Sequence, residues 1–305
     1  IDPSMRFTDY RDLIALGAVE AVDICTPNDC HFAIAMEAVN AGKHYSVEKP
    51  VTMNAGEALA LAGRTKEKGV KSMVCFSYRF KTAARYARHL VRSGVLGDLY
   101  HAYAQYFQAW ANPDFNTPLV WRFVKAQTGS GALGDLGSHA LDLVRFITGR
   151  EYTRVAGDAD TLVKERDLPG APGRGAVDVD DYCHYLARME GGLSATFGIT
   201  RLAYGRGNYQ RLEIYGSKGA LVYKLDETPG KDELEICTGM PWGQLNAFVK
   251  VPVPSSYAAG QTQAFADIIG GKADGLAATV EDGLANQKAV DAVIDSFENG
   301  RWVSL

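Results

Sequence analysis

Two groups of polar side chains in this sequence have the residue types and spacing of an acid–base site. The first is the tripeptide Glu48-Lys49-Pro50, which directly follows the apolar segment "HYSV". A lysine that is partly removed from water can exchange a proton near neutral pH, so Lys49 is a candidate acid–base group. The alternative interpretation is a charged loop residue that follows a strand.

The second group lies in "GSGALGDLGSHALDLVRFITG" (129–149), whose apolar spacing predicts a helix. Asp135, His139 and Asp142 fall on one stripe of that helix, at positions i, i+4 and i+7. A carboxylate one turn before an imidazole can orient the ring, as a general acid–base needs. The alternative is a polar helix face with a satisfied histidine. A metal site is not predicted, because Asp135 and His139 supply two ligands and only Asp142 stands at helical spacing as a third.

The elements around Lys49 predict a parallel sheet. Apolar segments at 21–26, 44–48 and 71–78 alternate with helical patterns, and these short spacings require parallel strands joined by crossovers. Ligands of such sheets bind beyond the carboxyl ends of the strands. Three tripeptides follow the three strands, so we expect them along one edge: Thr26-Pro27-Asn28, Glu48-Lys49-Pro50 and Ser77-Tyr78-Arg79.

The pattern changes after Asp98, where six segments alternate or are rich in β-branched and aromatic residues. They predict a large, mostly antiparallel open sheet with one helix inserted at 134–148. Two helices close the chain, and either domain could receive them. The predicted fold class is therefore α/β over residues 1–80, with half of a doubly wound parallel sheet, followed by an α+β domain over 81–305.

Composition narrows the function classes. The 305 residues carry a net charge of −4, without the basic surface that nucleic-acid binding requires. No apolar run is long enough for a membrane span. The five cysteines are scattered, with no CxxC spacing, which predicts neither a disulfide framework nor a zinc site. These features predict a cytoplasmic protein that binds neither nucleic acid nor a membrane.

Several motifs, in this order, resemble the glucose–fructose oxidoreductase / inositol dehydrogenase / MocA family of NAD(P)-dependent sugar and polyol oxidoreductases. They are "AVDICTPNDCH" (21–31), "AGKHYSVEKP" (41–50), "WRF" (121–123) with "GSGALGDLGSHALDL" (129–143), "YGSKGAL" (215–221) and the last 25 residues from Glu281. The resemblance implies a Rossmann-type dinucleotide-binding domain and a domain for substrate binding and oligomerisation. It implies NAD or NADP as cofactor, without distinguishing them.

The resemblance also implies roles for individual residues. Lys49, Asp135 and His139 would be catalytic, with His139 as proton relay or base, and Lys49–Pro50 would be a cis peptide bond. The residues implied to line the cofactor cleft are Thr26, Pro27, Asn28, His31, Glu48, Lys49 and Pro50. The residues expected to bind substrate are Tyr78, Arg79, Trp110, Arg122, Asp135 and His139. Arg79 and Arg122 could bind a carboxylate or phosphate, or form salt bridges instead. A homodimer or homotetramer through the open sheet is implied.

One family feature is missing from this sequence. Members begin with a strand and a G-x-G-x-x-G turn that approaches the cofactor pyrophosphate, and no such motif with a strand before it and a helix after it occurs here. "GRGAVDVDD" (173–181) lacks that context. We therefore expect a Rossmann-type sheet without its first βαβ unit, and we interpret the chain as a fragment rather than as a gene product that lacks the segment.

The leading hypothesis is oxidation of a secondary hydroxyl of a sugar, anhydrosugar, glycoside or inositol, with hydride transfer to the nicotinamide and a Lys49/His139 proton relay. A second hypothesis is NAD-assisted glycoside cleavage by transient oxidation and elimination. A third is a cofactor-deficient sugar-binding or regulatory protein. Net formation of reduced cofactor distinguishes the first two.

Overall fold

The computed structural model describes residues 6–226, 231–239 and 247–305, without the side chain of Lys231. Two compact units are formed. The first contains the chain up to Phe76 together with Gly260–Gln287, and the second contains Ser77–Ala259 together with Lys288–Leu305.

The elements are numbered in chain order. The α-helices are α1 (Tyr10–Ala15), α2 (Asn28–Asn40), α3 (Ala55–Lys68), α4 (Thr82–Arg92), α5 (Lys125–Thr128), α6 (Ser138–Thr148), α7 (Gln261–Ile269) and α8 (Val280–Asn299). The strands are β1 (Ala21–Ile24), β2 (His44–Val47), β3 (Ser72–Val74), β4 (Leu99–Phe107), β5 (Tyr152–Asp160), β6 (Glu165–Asp167), β7 (Arg174–Ala176), β8 (Tyr182–Met189), β9 (Ser194–Thr200), β10 (Tyr209–Gly216), β11 (Gly219–Asp226), β12 (Lys231–Thr238), β13 (Val249–Lys250) and β14 (Val303–Ser304). Short 3-10 turns cover Ser77–Phe80, Pro113–Phe115, Trp121–Phe123, Glu190–Gly192 and Ser255–Tyr257, and a π-helical turn covers Leu133–Gly137.

The first unit contains a three-stranded parallel sheet in the order β1-β2-β3, which confirms the predicted Rossmann-like topology. Ile24, Val47 and Leu61 belong to its buried core, together with apolar residues of α2 and α3. Helix α3 begins with a side-chain cap, because Asn54 Oδ1 accepts the backbone N–H of Glu57 at 2.9 Å.

The third strand is shorter than the predicted segment 71–78. It ends at Val74, and the backbone N–H of Phe76 then donates to the Val74 carbonyl at 2.8 Å, which bends the chain. The residues that follow form the 3-10 turn Ser77–Phe80 and belong to the second unit. Strand β3 therefore ends three residues before Ser77, and the place of Ser77-Tyr78-Arg79 along the carboxyl edge of the parallel sheet stays a prediction.

The second unit is built on a nine-stranded sheet in the order β13-β12-β11-β10-β4-β9-β8-β5-β14. All its neighbouring strands are antiparallel except β4 and β9, as the prediction of a mostly antiparallel sheet required. Alternate residues of β4, including Ala104 and Tyr106, are buried. Helix α6 packs against this strand, and the Tyr152 hydroxyl of β5 donates to the Leu141 carbonyl of α6 at 2.8 Å.

The opposite side chains of the same strands are exposed. Tyr103 of β4 pairs with Thr196 of β9, which pairs with Leu186 of β8, so these three residues form a row across the sheet. Tyr103 is 46% exposed and Leu186 is 48% exposed. Use of this face for a homodimer or homotetramer stays a prediction.

No helix in the described ranges is both long enough and apolar enough to cross a bilayer. The same ranges contain no group of three His, Cys, Asp or Glu side chains that could hold a metal ion. All five cysteines are free thiols.

Candidate active site

The first unit brings two of the predicted tripeptides together at the carboxyl edge of its sheet. Strands β1 and β2 are paired up to Ile24 and Val47, and the backbone N–H of Glu48 continues the pairing by donating to the Ile24 carbonyl at 2.9 Å. Lys49 follows directly, is partly exposed, and its backbone N–H donates to Glu48 Oε2 at 3.2 Å. This is the edge at which ligands of such sheets bind.

His31 of α2 joins the two loops of this edge. Its Nδ1 lies 2.8 Å from the Pro50 carbonyl oxygen and its Nε2 lies 3.0 Å from the Thr26 carbonyl oxygen. The ring is fully buried, and the Lys49–Pro50 bond is cis, as the resemblance implied. Both ring nitrogens therefore face backbone carbonyls, and a direct contact between His31 and a cofactor stays a prediction.

The same edge has polar groups that suit a dinucleotide. The hydroxyl oxygen of Thr26 is buried and has no hydrogen-bond partner among the described residues. Helix α2 begins at Asn28 without a side-chain cap, and the N-terminus of a helix favours anionic groups. With the carboxylate of Glu48 and the ammonium of Lys49, these residues fit the polar part of a nicotinamide dinucleotide. The roles of Thr26, Pro27, Asn28, Glu48 and Pro50 in holding it remain predictions.

In the second unit, Asp135 and His139 lie on one continuous helical segment. Asp135 is in the π-helical turn Leu133–Gly137, which is closed by the Ser138 N–H donating to the Leu133 carbonyl. His139 is in the first turn of α6 and is 8% exposed. The segment becomes helical later than the predicted 129–149, and π-helical turns are frequent at functional sites.

The His139 ring packs on a cluster of hydroxyl and amide groups. Its centroid lies 4.7 Å from that of Tyr78, edge to face, and the hydroxyls of Tyr78 and Tyr106 are 2.5 Å apart. Asn208 Nδ2 donates to the Tyr78 hydroxyl at 3.0 Å, and Gln108 Nε2 donates to the Tyr106 hydroxyl at 3.0 Å. We call these four side chains, Tyr78, Tyr106, Gln108 and Asn208, the hydroxyl cluster.

Electrostatics keep the two phenols of this cluster neutral. Burial raises the pKa of Tyr78 and that of Tyr106 above the ordinary value of 10.0. The neighbouring Asp135 carboxylate acts in the same direction on both groups. At neutral pH each phenol can therefore donate one hydrogen bond and accept others.

Arg79 forms a buried ion pair. Its guanidinium contacts both oxygens of the Asp142 carboxylate, with Nε to Oδ2 at 2.8 Å and Nη2 to Oδ1 at 2.6 Å. Arg79 is 4% exposed, which agrees with the salt-bridge alternative for this residue. A contact between Arg79 and substrate stays a prediction.

Trp110 and Arg122 lie in the segment between β4 and α5. The Trp110 ring is partly exposed and packs at 5.3 Å from the ring of Phe123. Arg122 is exposed, with its guanidinium carbon 4.3 Å from the centre of the Trp121 ring. Both side chains can be reached from solvent, and their contact with substrate stays a prediction.

The sequence interpretation missed Tyr106, Gln108 and Asn208. Tyr106 lies in β4 and Gln108 directly follows this strand, two residues later, so strand alternation would place both side chains on one side. Asn208 joins them because β10 pairs with β4, with Gln210 opposite Tyr106. These strands are separated by about a hundred residues of sequence, so their pairing depends on the whole sheet and not on local pattern.

A three-stranded parallel sheet with a polar carboxyl edge, and a large open sheet that carries a histidine helix, together define the architecture of a Rossmann-fold oxidoreductase. The chain matches the family described as "Oxidoreductase family, NAD-binding Rossmann fold" over residues 3–76. It matches the "GFO/IDH/MocA C-terminal domain" over residues 84–222. The chain therefore belongs to the GFO/IDH/MocA family of NAD-binding oxidoreductases and is an enzyme, as predicted.

Known relatives align over almost the whole chain. Levoglucosan dehydrogenase of Pseudarthrobacter phenanthrenivorans is 31% identical over 98% of this chain and 83% of its own length. The crystal structure of an oxidoreductase domain protein from Kribbella flavida has a TM-score of 0.87 at 36% identity, covering 97% of this chain and 83% of that one. Levoglucosan dehydrogenase in complex with NADH and levoglucosan has a TM-score of 0.87 at 31% identity, covering 98% and 84%.

Proposed function

We propose that this protein oxidises a secondary hydroxyl of a cyclic polyol, namely a sugar, anhydrosugar, glycoside or inositol. The observation that carries the proposal is the packing of His139 on Tyr78, at 4.7 Å, beside hydroxyl and amide groups that are joined by hydrogen bonds. The similarity to levoglucosan dehydrogenase supports this substrate class. NAD+, when bound, accepts the hydride that leaves the carbon bearing the hydroxyl.

Lys49 and His139 handle the proton of that hydroxyl. His139 is the base or relay, and Asp135, one turn before it, orients the imidazole. Lys49 exchanges the proton at the same oxygen. A positioned acid–base group contributes roughly 10²- to 10⁴-fold to a rate, so loss of either side chain should be severe.

The hydroxyl cluster suits a neutral polyhydroxylated ring. Neutral phenols and amide groups both donate and accept, and so match hydroxyls that do the same. Trp110 offers an aromatic face for the apolar face of such a ring. Because Arg79 is engaged by Asp142, the exposed Arg122 is the remaining candidate among these two arginines for binding an anionic substituent.

On the first unit, Thr26, Asn28, Glu48 and Lys49 hold the dinucleotide. The buried hydroxyl of Thr26 and the uncapped start of α2 support this assignment. His31 acts behind them by fixing the backbone of both loops.

The test is a panel of inositols, aldoses, anhydrosugars and glycosides, each with NAD or NADP, followed through the absorbance of the reduced cofactor. We expect reduced NAD to accumulate with at least one cyclic polyol. Glycoside consumption without net reduced cofactor would instead support cleavage by transient oxidation. Failure to bind either dinucleotide would support a binding protein and contradict the proposal.

Substitutions test the roles. Lys49→Ala and His139→Ala should each lower kcat by about 100-fold or more, with an unchanged circular dichroism spectrum. His89→Ala is the matched control, since His89 is exposed on α4 and packs on Tyr86 and Tyr257. Near-normal turnover in either of the first two variants contradicts the assignment.

A further inference from the structure

Asp180 and Asp181 are adjacent buried carboxylates whose hydrogen bonds lead to different parts of the second unit. They directly precede β8 and are 8% and 0% exposed. Burying a carboxylate is costly unless hydrogen bonds or an opposite charge compensate it. The groups that compensate Asp180 belong to the segment of Asp135 and His139. The charged group that compensates Asp181 is Arg201, which in turn contacts the segment of Trp110 and Arg122.

Asp180 holds the start of the helical segment that carries Asp135 and His139. Its Oδ1 accepts the Gly131 N–H at 2.6 Å and its Oδ2 accepts the Leu133 N–H at 2.7 Å. Its backbone carbonyl accepts the Ala132 N–H between them at 2.9 Å. The first N–H groups of a helix have no acceptor within the helix, so Asp180 caps it from a distant part of the chain.

The fit around Gly131 is tight. A Cβ atom at this position would lie 1.9 Å from the carbonyl oxygen of Asp180, so the two backbones approach as closely as glycine allows. The helix start is thereby fixed against the segment before β8. Asp135 lies only two residues after Leu133, inside the π-helical turn that this contact begins.

Asp181 holds the segment that carries Trp110 and Arg122. Its Oδ1 accepts from Arg201 Nε at 3.1 Å, and both side chains are fully buried. Arg201 in turn donates through Nη1 to the carbonyl oxygen of Arg122 at 3.2 Å. The Arg201 guanidinium carbon lies 5.7 Å from the centre of the Trp110 ring.

The second carboxylate oxygen of Asp181, Oδ2, holds the side chain in place through backbone hydrogen bonds. It accepts the N–H groups of Leu162 and Val163 at 2.9 and 2.8 Å. The carboxylate is thus held by three donors, and it can orient Arg201 without moving. A phenyl ring completes the contact, because the Arg201 guanidinium carbon lies 4.6 Å from the centre of the Phe123 ring.

We propose that Asp180 and Asp181 are positioning residues for the oxidation. Asp180 sets the helical segment of Asp135 and His139, and Asp181, through Arg201, sets the turn of Arg122 and the Trp110 ring. The proposal rests on the proposed function. It predicts that the two neighbours affect different kinetic constants, which general destabilisation of the unit would not produce.

Asp180→Asn replaces one of the two accepting oxygens by an NH₂ group that faces a backbone N–H. We expect kcat to fall by about 10- to 100-fold, because small displacements of reacting groups are costly, while KM changes by less than about threefold. Asp181→Asn leaves Arg201 without its counter-ion. We expect KM to rise by about 10-fold or more, with a smaller change in kcat.

Asp178→Asn is the matched control. Asp178 belongs to the same segment, and its Oδ1 accepts the backbone N–H of Lys125 at 2.6 Å, so it also caps a helix. That helix, α5, carries no proposed site residue. We expect kcat and KM of this variant to stay within about twofold of the wild-type values.

Hydrogen–deuterium exchange of the holoenzyme supplies a readout that does not depend on activity. Asp180→Asn should accelerate amide exchange in peptides covering 129–139, and Asp181→Asn in peptides covering 109–124. If Asp181→Asn fails to fold, the pair Asp181→Leu with Arg201→Met removes both buried charges and should fold with the same rise in KM. If Asp180→Asn fails to fold, Asp180→Ser keeps one acceptor and should show the loss in kcat.

The proposal is overturned if both variants match Asp178→Asn, or if kcat and KM change in equal proportion in both. It is also overturned if exchange increases uniformly over the unit. A wild-type enzyme that oxidises no cyclic polyol would overturn the proposed function instead, and the exchange pattern would then decide the positioning role by itself.

Discussion

The guanidinium of Arg79 donates to both oxygens of the Asp142 carboxylate, at 2.8 and 2.6 Å, and both side chains are about 95% buried. Arg79 belongs to the 3-10 turn that also carries Tyr78, and Asp142 lies one turn after His139 on α6. The pair therefore joins the two elements that place Tyr78 against His139. Arg79 was expected to bind substrate, and in the structure its ion pair with Asp142 holds together the two elements that carry Tyr78 and His139.

Removing one partner of this pair should be strongly destabilising. Asp142→Asn leaves an uncompensated buried cation, and we expect the free energy of unfolding to fall by about 3–5 kcal/mol. Arg145 of the same helix supplies the control, because it forms a bidentate pair with Glu151, which directly precedes β5 and is half exposed. Glu151→Gln should cost under about 1 kcal/mol in denaturant unfolding. Equal costs would contradict the buried role of Asp142.

His31 should control cofactor affinity through the backbone of two loops. His31→Ala removes the buried imidazole whose two nitrogens face the carbonyls of Thr26 and Pro50, and a buried carbonyl that loses its donor costs about 1–3 kcal/mol. We expect the Kd for NAD, measured by calorimetry, to rise by about 10-fold or more. His44→Ala is the control, since His44 accepts the N–H of Lys71 at the opposite end of β2. An unchanged Kd in His31→Ala would rule out this role.

Stability at alkaline pH should report the buried phenol of Tyr106. Burial raises the pKa of this group above 10.0 in the folded protein. Above pH 10 the unfolded chain loses the phenolic proton and the folded protein keeps it, so the unfolded state binds fewer protons and stability falls as pH rises. One such group adds a slope of up to about 1.4 kcal/mol per pH unit. Tyr106→Phe should make the loss above pH 10 shallower by that amount in denaturant titrations, and an unchanged slope would contradict a protonated Tyr106.

The exposed row on the open sheet tests the predicted oligomer. Replacing Tyr103 of β4 and Leu186 of β8 by glutamate places two charges on that face, with Thr196 of β9 between them. We expect the mass measured by light scattering to fall from a dimer or tetramer to a single chain. Leu59→Glu, at a position that is 59% exposed on α3, should leave the mass unchanged. A wild-type monomer, or an oligomer that survives both charges, would contradict this interface.

Local pattern was sufficient for much of the fold. Strands β1 and β2 end within two residues of their predicted bounds at 21–26 and 44–48. The motifs at Lys49 and His139 pointed to the family. The contacts that local pattern did not predict join residues far apart in the chain. Examples are Arg79 with Asp142, and Asp180 with the start of the helical segment that carries Asp135. The π-helical turn also depends on such a contact, because it begins at Leu133, whose backbone N–H donates to Asp180 Oδ2.

The reaction proposed for this protein is net transfer of a hydride from a secondary carbinol carbon to NAD+. The most direct measurement uses a cyclic polyol that carries deuterium at the carbon to be oxidised, followed by mass analysis of both products. We expect equal amounts of ketone and reduced cofactor, with the deuterium in the reduced cofactor, and loss of this transfer in Lys49→Ala. Product formation without reduced cofactor, or with the deuterium returned to the sugar product, would contradict the claim.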